Sequence, residues 1–150
     1  MRLNFTILFL VLLFSSCSVD FFVDKKEDKL IGLWSVEKVT FKEHGAWFRD
    51  NISDDYLGDE FEFLPDYRVV YYDADIGTEF VGNWSVVAEK NYDFGDNDSE
   101  VEFYIEMHFY DPIYQDAFGF YGFISKLTRK NFKYHVSEPN GELSFQFKKR

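Results

Sequence analysis

Cysteine is almost missing from this 150-residue chain, which has one, Cys17. A lone thiol closes no intrachain disulfide and cannot furnish the thiolate set of a structural zinc site. Histidine and proline are equally scarce, at three each. His44, His108 and His135 show no close spacing, whereas a zinc centre needs three or four converging ligands, so no metal and no cofactor are expected. Cations are outnumbered, 16 Lys and Arg against 27 Asp and Glu, for a net charge of −11. That balance excludes the basic footprint of nucleic-acid recognition and disfavours broad adhesion to anionic headgroups. Catalytic signatures are lacking too. No Gly-x-Ser-x-Gly elbow occurs, and no carboxylate pair stands out for glycoside chemistry, so the chain is expected to be non-enzymatic. The stretch Asp93–Glu100 concentrates acids without the glycine and glutamate spacing of a calcium loop, and reads as a solvated turn.

Long apolar runs are also absent. The most apolar stretch, Phe5–Phe14, covers roughly 15 Å at about 1.5 Å per residue, half of a hydrocarbon core. It follows Arg2 and precedes Ser15-Ser16-Cys17, the charged start, short apolar middle and small-residue exit of a secretory signal peptide. The exit resembles the lipobox of bacterial lipoproteins. That resemblance implies removal of residues 1–16 and acylation of Cys17 by palmitate-type chains. It places the protein on a membrane of the bacterial cell envelope, and Ser18 after the cysteine favours the outer membrane. Residues 17–29 then form a lipid-anchored tether of mixed charge, and the domain occupies 30–150.

What the chain has in abundance is aromatic rings: 19 Phe, 10 Tyr and 3 Trp. They recur on the strand period of two. Val101, Phe103, Ile105, Met107 and Phe109 alternate with Glu102, Tyr104, Glu106 and His108, a strand dry on one side and wet on the other. The same alternation marks Phe61 and Phe63, then Phe132–Val136, then Leu143–Phe147. Pro65-Asp66 and Pro139-Asn140-Gly141 supply turns. With further strands at Leu30–Phe41, Tyr67–Tyr72, Thr78–Ala88 and Phe118–Leu127, and a weaker one near Asn91–Phe94, eight or nine strands and no helix are expected. The fold class is all-β, a sandwich or a barrel.

Leu30-Ile31-Gly32-Leu33-Trp34 opens the domain, Phe61-Glu62-Phe63-Leu64-Pro65-Asp66 follows, Gly82-Asn83-Trp84 recurs midway, and Phe145-Gln146-Phe147-Lys148-Lys149 closes the chain. This order resembles the lipocalin-like domains of small bacterial lipoproteins. The resemblance implies an antiparallel up-and-down barrel of about eight strands, with Trp34 closing one end under a basic residue drawn from Lys148, Lys149 or Arg150. A barrel of that size holds packed side chains or one small ligand. Two functions follow as expectations. In the first, Trp34, Phe61, Phe63, Trp84, Phe103, Ile105 and Phe120 line an interior cavity for a small hydrophobic ligand. In the second, there is no cavity, and Trp47, Phe48 and Tyr56 on the long connection Glu43–Gly58 form a contact patch for an envelope protein partner.

Overall fold

A computed structural model of the chain describes residues 18–91 and 100–150. The signal segment 1–16, Cys17 and all of the acidic stretch but Glu100 lie outside the described residues, as does most of the weak strand near Asn91–Phe94. Alternation becomes strand along nearly all of the rest. The strands are β1 (Gly32–Glu43), β2 (Asp50–Asn51), β3 (Glu60–Phe63), β4 (Arg68–Asp73), β5 (Thr78–Asn91), β6 (Glu100–Asp111), β7 (Asp116–Leu127), β8 (Asn131–Glu138) and β9 (Gly141–Lys149). From β3 to β9 each pairs antiparallel with the next, β3 pairs back to β1, and β9 returns to β1. Eight strands therefore form a closed up-and-down barrel, and the two-residue β2 adds to the flank of β1 at Thr40 and Phe41.

The inward rings make one core. Trp34, Phe61, Phe63, Trp84, Phe132, Tyr134, Phe145 and Phe147 are all buried in a single cluster. Phe61 stacks on Tyr71 with centroids 4.5 Å apart, and Tyr134 lies nearly parallel to Phe145 at 5.1 Å. So many large rings fit because the wall gives way in places. At Gly122 of β7 a Cβ would come within 2.5 Å of the Tyr134 ring and 2.6 Å of the His135 carbonyl oxygen.

One element differs from the all-strand expectation. Residues Ser18–Leu30 form a helix, α1, in the segment expected to be a tether without helical structure. Its mixed charges carry no strong amphipathic pattern, and a 13-residue helix is marginal in water by itself. The barrel holds it instead. The Glu27 carboxylate accepts from the Tyr67 hydroxyl at 3.1 Å and from the Val86 amide at 3.4 Å, and Lys26 Nζ lies 4.3 Å from the Phe103 ring centroid. At the helix end, Leu30 is fully buried and its carbonyl accepts from Trp34 Nε1 at 2.6 Å.

Lys149 completes this end of the barrel. Its ammonium sits 5.1 Å from the Trp34 ring centroid and donates to the carbonyls of Lys29, at 3.1 Å, and Ile31. A cation on the last carbonyls of a helix also meets the negative end of its dipole. Among the three candidates, Lys149 is the basic residue over the first tryptophan. Because Leu30 joins α1 to the core, Leu30→Ala is expected to cost about 2–5 kcal/mol of stability, read from urea denaturation of the purified chain.

Candidate functional site

The seven residues assigned to a ligand cavity do meet in the barrel interior. Trp34, Phe61, Phe63, Trp84 and Ile105 are buried, and Phe103 and Phe120 are partly buried against them. Their neighbours there are other rings: Phe63 lies edge-on to Trp84 at 5.3 Å, and Phe120 edge-on to Phe61 at 6.1 Å. Of the seven, Phe120 borders a shallow cleft of about 330 Å³.

The barrel ends differ. The α1 end carries the β3–β4 and β7–β8 turns. The opposite end carries the connections after β1, β2, β4, β6 and β8, because antiparallel neighbours reverse at alternate ends. Four of those five connections present exposed apolar side chains. They are Trp47 and Phe48 (93% and 86% exposed), Leu57, Ile76, and the pair Ile113 and Tyr114. Local chemistry forces two of these outward. Asp73 Oδ1 accepts the amides of Asp75 and Ile76 at 3.0 and 3.2 Å, and Asp111 Oδ1 those of Ile113 and Tyr114 at 2.7 and 3.1 Å. Each aspartate closes a tight turn with its own side chain, so the residues at the tip point away from the barrel. Exposed acids accompany them: Glu43, Asp50, Asp54, Asp55, Asp75 and Asp116. Tyr56, expected in the contact patch, is a correction. It is half-buried and meets Phe145 edge-on at 5.3 Å, because the short 3-10 turn Ser53–Tyr56 directs it back to the core.

A third surface lies on the outer wall across β6–β9. A cleft of about 610 Å³ is lined by Tyr104, Tyr121, Phe123, His135, Glu142 and Arg49, among others, with Gly122 in its floor. Tyr104 and Tyr121 stack, 4° from parallel. The hydroxyl of Tyr104 donates to Glu102 at 2.8 Å and that of Tyr121 to Glu89, and these bonds hold both phenols above their ordinary pKa. For Tyr104, which is pushed up to about 12, the bond to the carboxylate is the main cause; for Tyr121 desolvation leads. Beside them runs a polar chain. Arg49 donates to Glu142 Oε1, His135 Nδ1 lies 3.1 Å from the same oxygen, and His135 Nε2 lies 2.9 Å from Ser125 Oγ.

The His135 side chain is largely covered. Its link to Glu142 was within reach of the sequence. The Pro139-Asn140-Gly141 hairpin pairs His135 with Ser144 and Ser137 with Glu142, so outward His135 and Glu142 are diagonal neighbours. Ser125 was not within reach. It falls between the Ile124–Tyr134 and Lys126–Lys133 pairs of β7 and β8, a bulge that period-two counting cannot place.

Comparison with protein-family models, with curated proteins and with solved structures found no match for this chain.

The acidic loop end stands on one buried carboxylate. Asp59 is 2% exposed; its Oδ2 accepts from the Tyr71 hydroxyl at 2.8 Å and its Oδ1 from the Ala74 amide at 2.9 Å. Desolvation raises its pKa, and the two hydrogen bonds pull the other way without cancelling it. The folded state therefore binds the proton more tightly than the unfolded chain. Stability contributed by this group is greatest in acid and declines as pH rises through the carboxylate range. Asp59→Ala, which leaves the Tyr71 hydroxyl unpaired, is expected to cost about 1–3 kcal/mol at pH 7. Asp59→Asn keeps both partners and is expected to cost less, while losing this pH dependence. Thermal unfolding of the two variants across pH checks both outcomes.

Proposed function

We propose that this chain is a lipid-anchored, lipocalin-like protein of the bacterial cell envelope that docks a protein partner through the loop end of its barrel. The observation that carries the reading is the set of exposed apolar side chains on four of the five connections at that end. Monomeric soluble proteins scatter such residues singly; a grouped set rimmed by polar residues marks an interaction surface. Trp47 and Tyr114, large and amphipathic, are the residue types that anchor interfaces. The rim is acidic, so the partner is a protein with an apolar patch ringed by Lys and Arg.

The anchor belongs to the same reading. Met1–Cys17 resembles a lipoprotein signal, and Ser18, the next residue, starts the helix that packs on the far end of the barrel. With acyl chains on Cys17, the domain would be tethered at its α1 end, leaving the loop end free for the partner. The Gly32-Leu33-Trp34 opening with Lys149 over the indole supports the lipocalin-like assignment.

Two measurements test this reading. The native protein is expected in the membrane fraction after a high-salt wash, and Cys17→Ser in the wash. Membrane retention of the serine variant would overturn the anchor. A photo-crosslinking residue at Trp47 is expected to give one discrete adduct in envelopes, and one at exposed Val81 on the barrel wall none. Equal labelling at both positions, or none at Trp47, would overturn the docking surface. Once the partner is isolated, Trp47→Ala should weaken its binding by about 2 kcal/mol, roughly 30-fold.

A further inference from the structure

Ser125, His135 and Glu142 stand in the order nucleophile, base and carboxylate. The two links measure 2.9 Å from Ser125 Oγ to His135 Nε2 and 3.1 Å from His135 Nδ1 to Glu142 Oε1. The positions of the protons follow from the partners. An ionised carboxylate only accepts, so Nδ1 carries the hydrogen that bonds Glu142. In the neutral ring Nε2 is then a bare lone pair, and it accepts from the Ser125 hydroxyl. The competing acceptor for that hydroxyl, the Lys133 carbonyl, is distant at 3.4 Å. Burial lowers the pKa of His135, as do the nearby charges of Lys133 and Arg49, while Glu142 raises it; the net shift is downward and keeps the ring neutral near pH 7. Partial burial pushes the Glu142 carboxyl up, but the bonds from Arg49 and His135 prevail and hold it below its usual range.

The backbone presents the serine. As the extra residue of the β7 bulge Ser125 has no partner on β8, and it is exposed on the outer face. Bulges re-aim side chains in this way beside active sites. The outer-wall cleft reaches the serine through His135, which lines it and bonds Ser125, and Tyr121 and Phe123 give that cleft an apolar bed.

We propose that Ser125 is an activated nucleophile that accepts an acyl group from an ester whose apolar part lies on Tyr121 and Phe123. Ser125 Oγ attacks the ester carbonyl carbon, and as the O–C bond forms its proton passes to His135 Nε2. The ester C–O bond then breaks, Nε2 returns the proton to the leaving oxygen, and an alcohol departs. Water, deprotonated by the same Nε2, attacks the seryl ester and releases the acid, restoring the hydroxyl. Glu142 is a positioning residue that fixes the tautomer of the imidazole. The net reaction consumes one water per ester, and no atom changes oxidation state.

The test uses the full purified chain and two probes, an alkyl fluorophosphonate and 4-nitrophenyl butyrate. One covalent adduct is expected, mapped by mass spectrometry to Ser125 and lost in Ser125→Ala. His135→Gln should slow its formation by about 100-fold or more, the usual contribution of a general base. In the native protein the labelling rate should rise with pH through a midpoint below 6.5, and Glu142→Gln should move that midpoint lower. A merely structural role would leave it in place. Absence of an adduct at Ser125, an adduct formed equally fast in folded His135→Gln, or a midpoint near the hydroxyl's own range would each overturn the proposal. The midpoint of the native protein decides the matter even if the His135 variant fails to fold.

Discussion

The closing ladder between β1 and β9 is the constraint on which the rest of this structure depends. It runs from the Trp34–Lys149 pair to the Glu43–Gly141 pair and gives every barrel strand a hydrogen-bonded neighbour on each side. Closure with eight strands fixes the interior to a width that side chains can fill. Large rings fill it, and the wall thins at Gly122 to admit Tyr134. Closure also fixes what each end carries. The Gly32 end receives α1 and Lys149; the Glu43 end receives the apolar, acidic connections.

β1 serves two partners at once, and this shapes the loop end. Its register against β9 slips between Val36 and Lys38, and on the opposite side β3 covers only Gly32–Ser35. The amides beyond need other acceptors. Val36 donates to the Asp59 carbonyl at 3.0 Å, and Ser53 Oγ accepts from the Val39 amide at 2.9 Å. The long connection 44–59 is thus stitched to the barrel by its second half, while its first half projects Trp47 and Phe48.

Most of the barrel was legible because a half-buried strand writes its two faces into alternate residues. β6 and β9 could be read residue by residue, and the Asn140-Gly141 step joins β9 to its hairpin partner β8. Three things were not legible. The helix α1 has no pattern of its own, since Glu27 and Lys26 are held by groups far away in the chain. Tyr56 looked like a loop residue, and only the 3-10 turn sends it inward. The polar chain on the outer wall depends on a bulge at Ser125 and on Arg49 reaching residue 142, neither of which leaves a periodic trace. Arg49 is also the point where the projecting loop and that polar chain touch, so the two surfaces share a residue although they lie on different parts of the barrel.

The ladder between the first and last strands carries a kinetic consequence. Trp34 and Lys149 meet across nearly the whole domain, and no nearer segment can stand in for β9. Contacts so distant in sequence make for slow folding, because loop-closure entropy is spent before they form. Until residues 141–149 have been synthesised, β1 keeps an open edge flanked by aromatic strands. Closure of the barrel therefore waits on β9, and the sealed native state arrives only with it.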